Sequence, residues 1–65
     1  MPLVNIKVFE ERLEDSEFAE KLTSAVADAV VSVCGAEARE HTWVFVEGVP
    51  GSQWLIGGKR VQLPL

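Results

Sequence analysis

The chain lacks nearly everything that usually staples a small fold. Its 65 residues include one cysteine, Cys34, and one histidine, His41, so no intrachain disulfide can form and no Cys/His cluster can hold a metal. Cations are few: Lys7, Arg12, Lys21, Arg39, Lys59 and Arg60 stand scattered against ten acidic residues, for a net charge of −4. Nucleic acids and anionic membrane surfaces both demand a basic patch, so neither is expected as a partner. No apolar run approaches the ~18 residues of a membrane span, and the N-terminus carries no basic-then-apolar leader. Internal repeats, linkers and low-complexity segments are also missing. These absences predict a cytoplasmic protein with one domain over residues 1–65.

Apolar residues, by contrast, are abundant, at 48% of the chain. A chain this short buries only ~60% of the surface its unfolded form exposes, which makes a lone core marginal. With disulfides and metals excluded, oligomerisation is the remaining staple. Apolar surface is therefore expected to be buried against further copies, with folding and assembly coupled.

The pattern along the chain reads as an α/β unit. In Leu3 to Phe9, Val4, Ile6 and Val8 alternate with Asn5 and Lys7, the period of a half-buried strand. Glu10 to Glu14 is a charged connection, and Asp15 and Ser16 are candidate caps for a helix. Phe18, Leu22, Ala25, Val26, Ala29, Val30 and Val33 then trace one helical stripe, with Gly35 as its terminator. Cys34, at the end of that stripe, reads as a small buried hydrophobe. A polar link containing Arg39 leads to His41-Thr42-Trp43-Val44-Phe45-Val46, a β-branched and aromatic second strand in which Trp43 is a core or interface residue. His41 falls at that strand's edge. Strand, helix, strand predicts a parallel pair joined by a right-handed crossover. Glu47 to Ser52 is turn chemistry, Gln53 to Arg60 is a hairpin about Gly57-Gly58, and Val61 to Leu65 adds a short extended tail. Two strands leave unpaired edges, which partner chains would complete.

The residue with the most chemical promise is Pro2. Removal of Met1 would expose a secondary amine, locked in a ring, at the head of the first strand. An α-amine has an unperturbed pKa of ~7.7 to 8.0, higher for a secondary amine. An apolar pocket with a nearby cation disfavours the ammonium form and would make this group a base at neutral pH. The competing reading is that proline starts an edge strand where no N–H is needed.

Taken together, Pro2 after the initiator, the strand-helix-strand order, Arg12 in Val8-Phe9-Glu10-Glu11-Arg12 and the aromatic-led turn Trp54-Leu55-Ile56-Gly57-Gly58 resemble the tautomerase superfamily, in particular its 4-oxalocrotonate (2-hydroxymuconate) tautomerase group. The resemblance covers essentially the whole chain. It implies a β-α-β protomer with a C-terminal hairpin, its sheet completed by oligomerisation, with a homohexamer preferred over a trimer or hetero-oligomer. It also implies a cofactor-free isomerase in which Pro2 is the general base on a small carboxylate-bearing 2-hydroxy or 2-oxo acid such as 2-hydroxymuconate. Arg12 would bind a carboxylate or polarise the 2-oxygen, a task suited to a permanently charged planar fork. Trp54 would wall the site and exclude water.

Two positions depart from the family pattern. Glu11 stands where a glycine usually precedes the arginine, and Thr42 falls where a second arginine is expected early in the second strand. Arg39, three residues earlier, is the candidate substitute for substrate binding. The departures keep two alternatives open: a haloacrylate dehalogenase or hydratase of the same superfamily, with Glu47 or Glu11 activating water, and a non-catalytic subunit of a hetero-oligomeric tautomerase.

Overall fold

The computed structural model describes residues 2–60. Two parallel strands, β1 (Leu3–Phe9) and β2 (Trp43–Val49), pair in register from Leu3↔Trp43 to Phe9↔Val49. Between them in sequence runs α1 (Phe18–Cys34), and a two-residue antiparallel pair, β3 (Leu55–Ile56) with β4 (Lys59–Arg60), follows. This is the expected β-α-β unit with a C-terminal hairpin. The extended tail expected over 61–65 lies outside the described residues.

Alternation governs the sheet. Val4, Ile6 and Val8 of β1 and Val44 and Val46 of β2 are half-buried, while Leu3, Asn5, Lys7, Trp43, Phe45 and Glu47 face outward and are exposed. The helix begins after an Asp15 turn in which the Oδ1 carboxylate oxygen accepts the Glu17 N–H at 3.0 Å and the Asp15 carbonyl accepts that of Phe18 at 3.1 Å. It ends at Gly35, whose φ of 102° suits a residue without Cβ and whose N–H donates to the Val31 carbonyl at 2.9 Å. At the hairpin, Gly57 and Gly58 both have positive φ, 61° and 79°, as a two-residue primed turn requires.

Several local expectations are refined or corrected. The Glu10–Glu14 connection is a 3-10 turn, and the Arg39 link is a second one, Ala36–His41, which takes in His41 and so moves it out of the strand. The second strand starts two residues later than expected and runs through Glu47, Gly48 and Val49, because the ladder to β1 continues as far as Phe9. The apolar stripe of α1 is only partly used. Phe18, Leu22, Val26 and Val30 are half-buried, whereas Ala25, Ala29 and Val33 turn outward, Val33 being 86% exposed. Two strands span only ~10 Å, too narrow to cover a broad helical stripe. Cys34, expected to be buried, is exposed at the helix end for the same reason.

No described residue is fully buried. The protomer is a flat slab of 42 × 26 × 14 Å with a radius of gyration of 14.3 Å, against about 11 Å for a compact chain of this length. Its accessible surface is 4962 Å², where a compact monomer of this mass would present about 4100 Å².

Candidate functional site

The two ends of the sheet carry different chemistry. At one end, Pro2 is half-buried immediately ahead of β1, and its carbonyl accepts the Trp43 N–H at 2.9 Å. That bond fixes the backbone of Pro2 to the start of β2. Around it, the first rung, Leu3↔Trp43, offers two outward apolar side chains, 62% and 58% exposed. Thr42, just before β2, turns its hydroxyl back to donate to the Ala38 carbonyl at 2.7 Å. Arg39 reaches the helix instead of the sheet: its Nη1 lies 3.0 Å from the Asp28 carboxylate.

The other end begins at Phe9. The first 3-10 turn follows directly and carries Arg12. What seats this turn is Gly48. A Cβ at that position would lie 2.8 Å from Leu13 Cδ1, 3.0 Å from Glu10 Cα and 3.1 Å from Glu10 Cβ, so only a glycine in β2 lets the turn lie against the strand. Trp54 closes the same end. Its ring centroid is 4.5 Å from that of Phe9, the planes tilted by 44°, and its indole N–H donates to the Val49 carbonyl at 3.1 Å. Phe9 and Val49 are partners in the last rung of the ladder, so the indole is held by both strands at once.

Pro2 and Arg12 are therefore not brought together within one protomer. Seven residues of extended chain separate Pro2 from Phe9, about 23 Å at the rise of a strand, and Arg12 and Trp54 lie beyond that point or against it. The expected site residues divide into a Pro2 half and an Arg12–Trp54 half. Arg39 lies nearer the Pro2 half in sequence and register but is committed to Asp28. Of the carboxylates considered for water activation, Glu47 sits in the fifth rung and accepts a hydrogen bond from the Asn5 side-chain amide at 2.6 Å, and Glu11 belongs to the Arg12 turn.

Two residues of this arrangement escaped the sequence reading. Gly48 has turn-like neighbours in sequence, although a glycine within a β-branched run also signals close backbone approach. Phe9 reads from periodicity alone as the end of the strand. Its parity with Asn5 and Lys7 was the available signal, because an aromatic on the polar face of a strand needs a partner.

A β-α-β protomer with a proline ahead of its first strand, a loop arginine after it and an aromatic-capped Gly-Gly hairpin is the class that fold and site define. Comparison with known proteins agrees: the family described as "Tautomerase enzyme" matches residues 2–63. Two relatives named "Probable tautomerase", from Bacillus cereus and Bacillus anthracis, are each 36% identical over 63 residues, covering 94% of this chain and 95% of theirs. The chain belongs to the tautomerase family. Membership and relatives together support a tautomerase activity, hence isomerase chemistry. No solved structure matches the chain significantly.

Proposed function

We propose that the protein, after loss of Met1, is a cofactor-free enol–keto tautomerase that uses Pro2 as general base on a small unsaturated 2-hydroxy or 2-oxo acid. The observation that carries this reading is the bond from the Trp43 N–H to the Pro2 carbonyl, which ties the main chain of Pro2 to β2 at the sheet's apolar end. The free secondary amine takes the proton from the enol oxygen of the substrate. The resulting ammonium returns it to carbon, so the step is a proton relocation with no net change in oxidation state. Arg12 binds the carboxylate through charge-assisted bonds and stabilises the enolate that develops next to it. Trp54, with its N–H already spent on Val49, supplies an apolar wall.

Because the two halves stand about 23 Å apart along a strand, the working site takes Pro2 from one copy and Arg12 with Trp54 from another. A two-fold arrangement with sheets antiparallel does this twice over: each Pro2 end meets the opposite end of its partner. The exposed apolar residues of the sheet face and the excess surface of the protomer favour such an assembly, and a homohexamer built from these pairs is the proposed state. Analytical ultracentrifugation at micromolar concentration and a tautomerase assay on enol acids test the reading jointly. An assembled, active protein supports it; a folded, active monomer contradicts it.

A further inference from the structure

One face of the sheet has no cover within the protomer. The half-buried Val4, Ile6 and Val8 mark the side on which α1 packs, and the opposite side carries Leu3, Asn5 and Lys7 of β1 beside Trp43, Phe45 and Glu47 of β2. Leu3, Trp43 and Phe45 are 62%, 58% and 42% exposed. Lys7 forms no ion pair among the described residues, although Glu47 is its ladder partner; the Glu47 carboxylate accepts the Asn5 amide instead, at 2.6 Å. We infer that this face binds the same face of a second copy about a two-fold axis running along the strands, so that Lys7 of each copy pairs with Glu47 of the other. The inference does not depend on the Pro2 chemistry.

Register selects that axis. A two-fold along the strands lays β1 of one copy over β2 of the other with no shift along the chain, so every rung meets its own reverse. Leu3 then lies over Trp43, Asn5 over Phe45 and Lys7 over Glu47, each twice by symmetry. Lys7 gains the partner it lacks, and the Glu47 carboxylate has a second oxygen with which to accept it. The other two-fold that stacks these faces runs across the strands. Centred on the middle rung, it sets Lys7 over Leu3 and Glu47 over Trp43, and so takes charges out of water against apolar groups. Sheets about 10 Å apart, with strands within about 30° of parallel, are the ordinary geometry of stacked sheets. The face measures only about 10 Å by 20 Å, small against the about 800 Å² per partner of a standard interface. It is therefore a second contact, added to the strand-reversing pair of the composite site, which leaves the face open when its strands lie side by side. Two different two-fold contacts alternating around a ring generate dihedral assemblies, the proposed hexamer among them.

Charge reversal tests the contact, read by native mass spectrometry and by sedimentation at micromolar concentration. Lys7→Glu makes the charged rung wholly acidic, and Glu47→Lys makes it wholly basic. Each alone should weaken the face contact by about 100-fold or more, as like charges juxtaposed in an interface do, and the population should shift to smaller species. The double variant Lys7→Glu/Glu47→Lys should recover the wild-type assembly. Mixing the two single variants should recover it as well, with both chains present in equal numbers, because each supplies the charge that the other needs. A Lys7 and Glu47 pairing confined to one chain would be rescued by the double variant but not by mixing. Wild-type assembly in either single variant overturns the inference while leaving the composite site in place. So does a double variant or a mixture that stays dissociated. A monomeric wild type overturns both.

Discussion

At the scale of single residues, the account rests on an amine and a guanidinium. Pro2→Ala, once processed, still has a free α-amine, but a primary and flexible one. Tautomerase kcat/KM should fall by about two orders of magnitude or more, because both basicity and aim change, while circular dichroism and assembly stay as in the wild type. A rate within a few fold of wild type would remove Pro2 from the mechanism. Arg12 is exposed, so Arg12→Ala should shift stability by less than about 1 kcal/mol. If it orients the carboxylate, the same substitution costs about 2 to 4 kcal/mol in transition-state binding, or roughly 30- to 1000-fold in kcat/KM. A loss in kcat places the charge on the developing enolate; a loss confined to KM marks uniform binding of the carboxylate. Arg39 is different. Its exposed pair with Asp28 has the geometry of a surface salt bridge, worth under ~1 kcal/mol, and Arg39→Ala should leave kcat/KM within about threefold if the guanidinium only pins the second 3-10 turn to α1. A larger loss, measured on the best substrate, would return Arg39 to the binding site.

At the scale of elements, the seating of the first 3-10 turn on Gly48 links fold to site. A methyl group there meets the backbone of Glu10 as well as the tip of Leu13, and backbone yields less readily than a side chain. Gly48→Ala should therefore cost about 1 to 3 kcal/mol of stability, read as a shift of the thermal midpoint. It should also lower kcat/KM on any acid that uses Arg12, since the turn carrying it must move. Unchanged midpoint and rate would show that the close approach does not position the turn. This contact also marks the limit of sequence reading. Strand one, the helix and the Gly57-Gly58 hairpin were legible because each depends on local periodicity or on positive φ at glycine. The end of strand two was not, since Glu47-Gly48-Val49 carries turn-like residues and becomes strand only by pairing with Lys7, Val8 and Phe9. The outward flank of α1 was likewise hidden. Ala25, Ala29 and Val33 have the right spacing for a core, and only the width of a two-stranded sheet decides that they are left over.

At the scale of the whole molecule, the flatness of the chain bears on the proposed assembly. A slab with a radius of gyration of 14.3 Å and 4962 Å² of accessible surface is more open than a compact chain of this length, which is what the proposed assembly would cover. The apolar surplus visible in the composition pointed to this, but composition cannot say which surfaces are left bare. In the structure they include Leu3, Trp43 and Phe45 on the open face of the sheet and Val33 on the helix. Pro2, Arg12 and Trp54 were each legible as candidates from their motifs. Their separation to opposite ends was not, because a motif lists neighbours in sequence and a seven-residue strand carries them apart.

The split site is the central claim, and mixing two impaired variants tests it most directly. Protein with Pro2→Ala and protein with Arg12→Ala are each expected to keep no more than about 3% of the wild-type activity. Unfolded together in equal amounts and reassembled, they form mixed oligomers in which some sites pair an intact Pro2 from one chain with an intact Arg12 from another. Random assembly of a site built from two chains predicts recovery of about a quarter of the wild-type kcat per site, with mixed oligomers confirmed by native mass spectrometry. Mixed oligomers that stay at the level of the single variants would contradict the account, because they would mean that Pro2 and Arg12 must come from the same chain or do not act together.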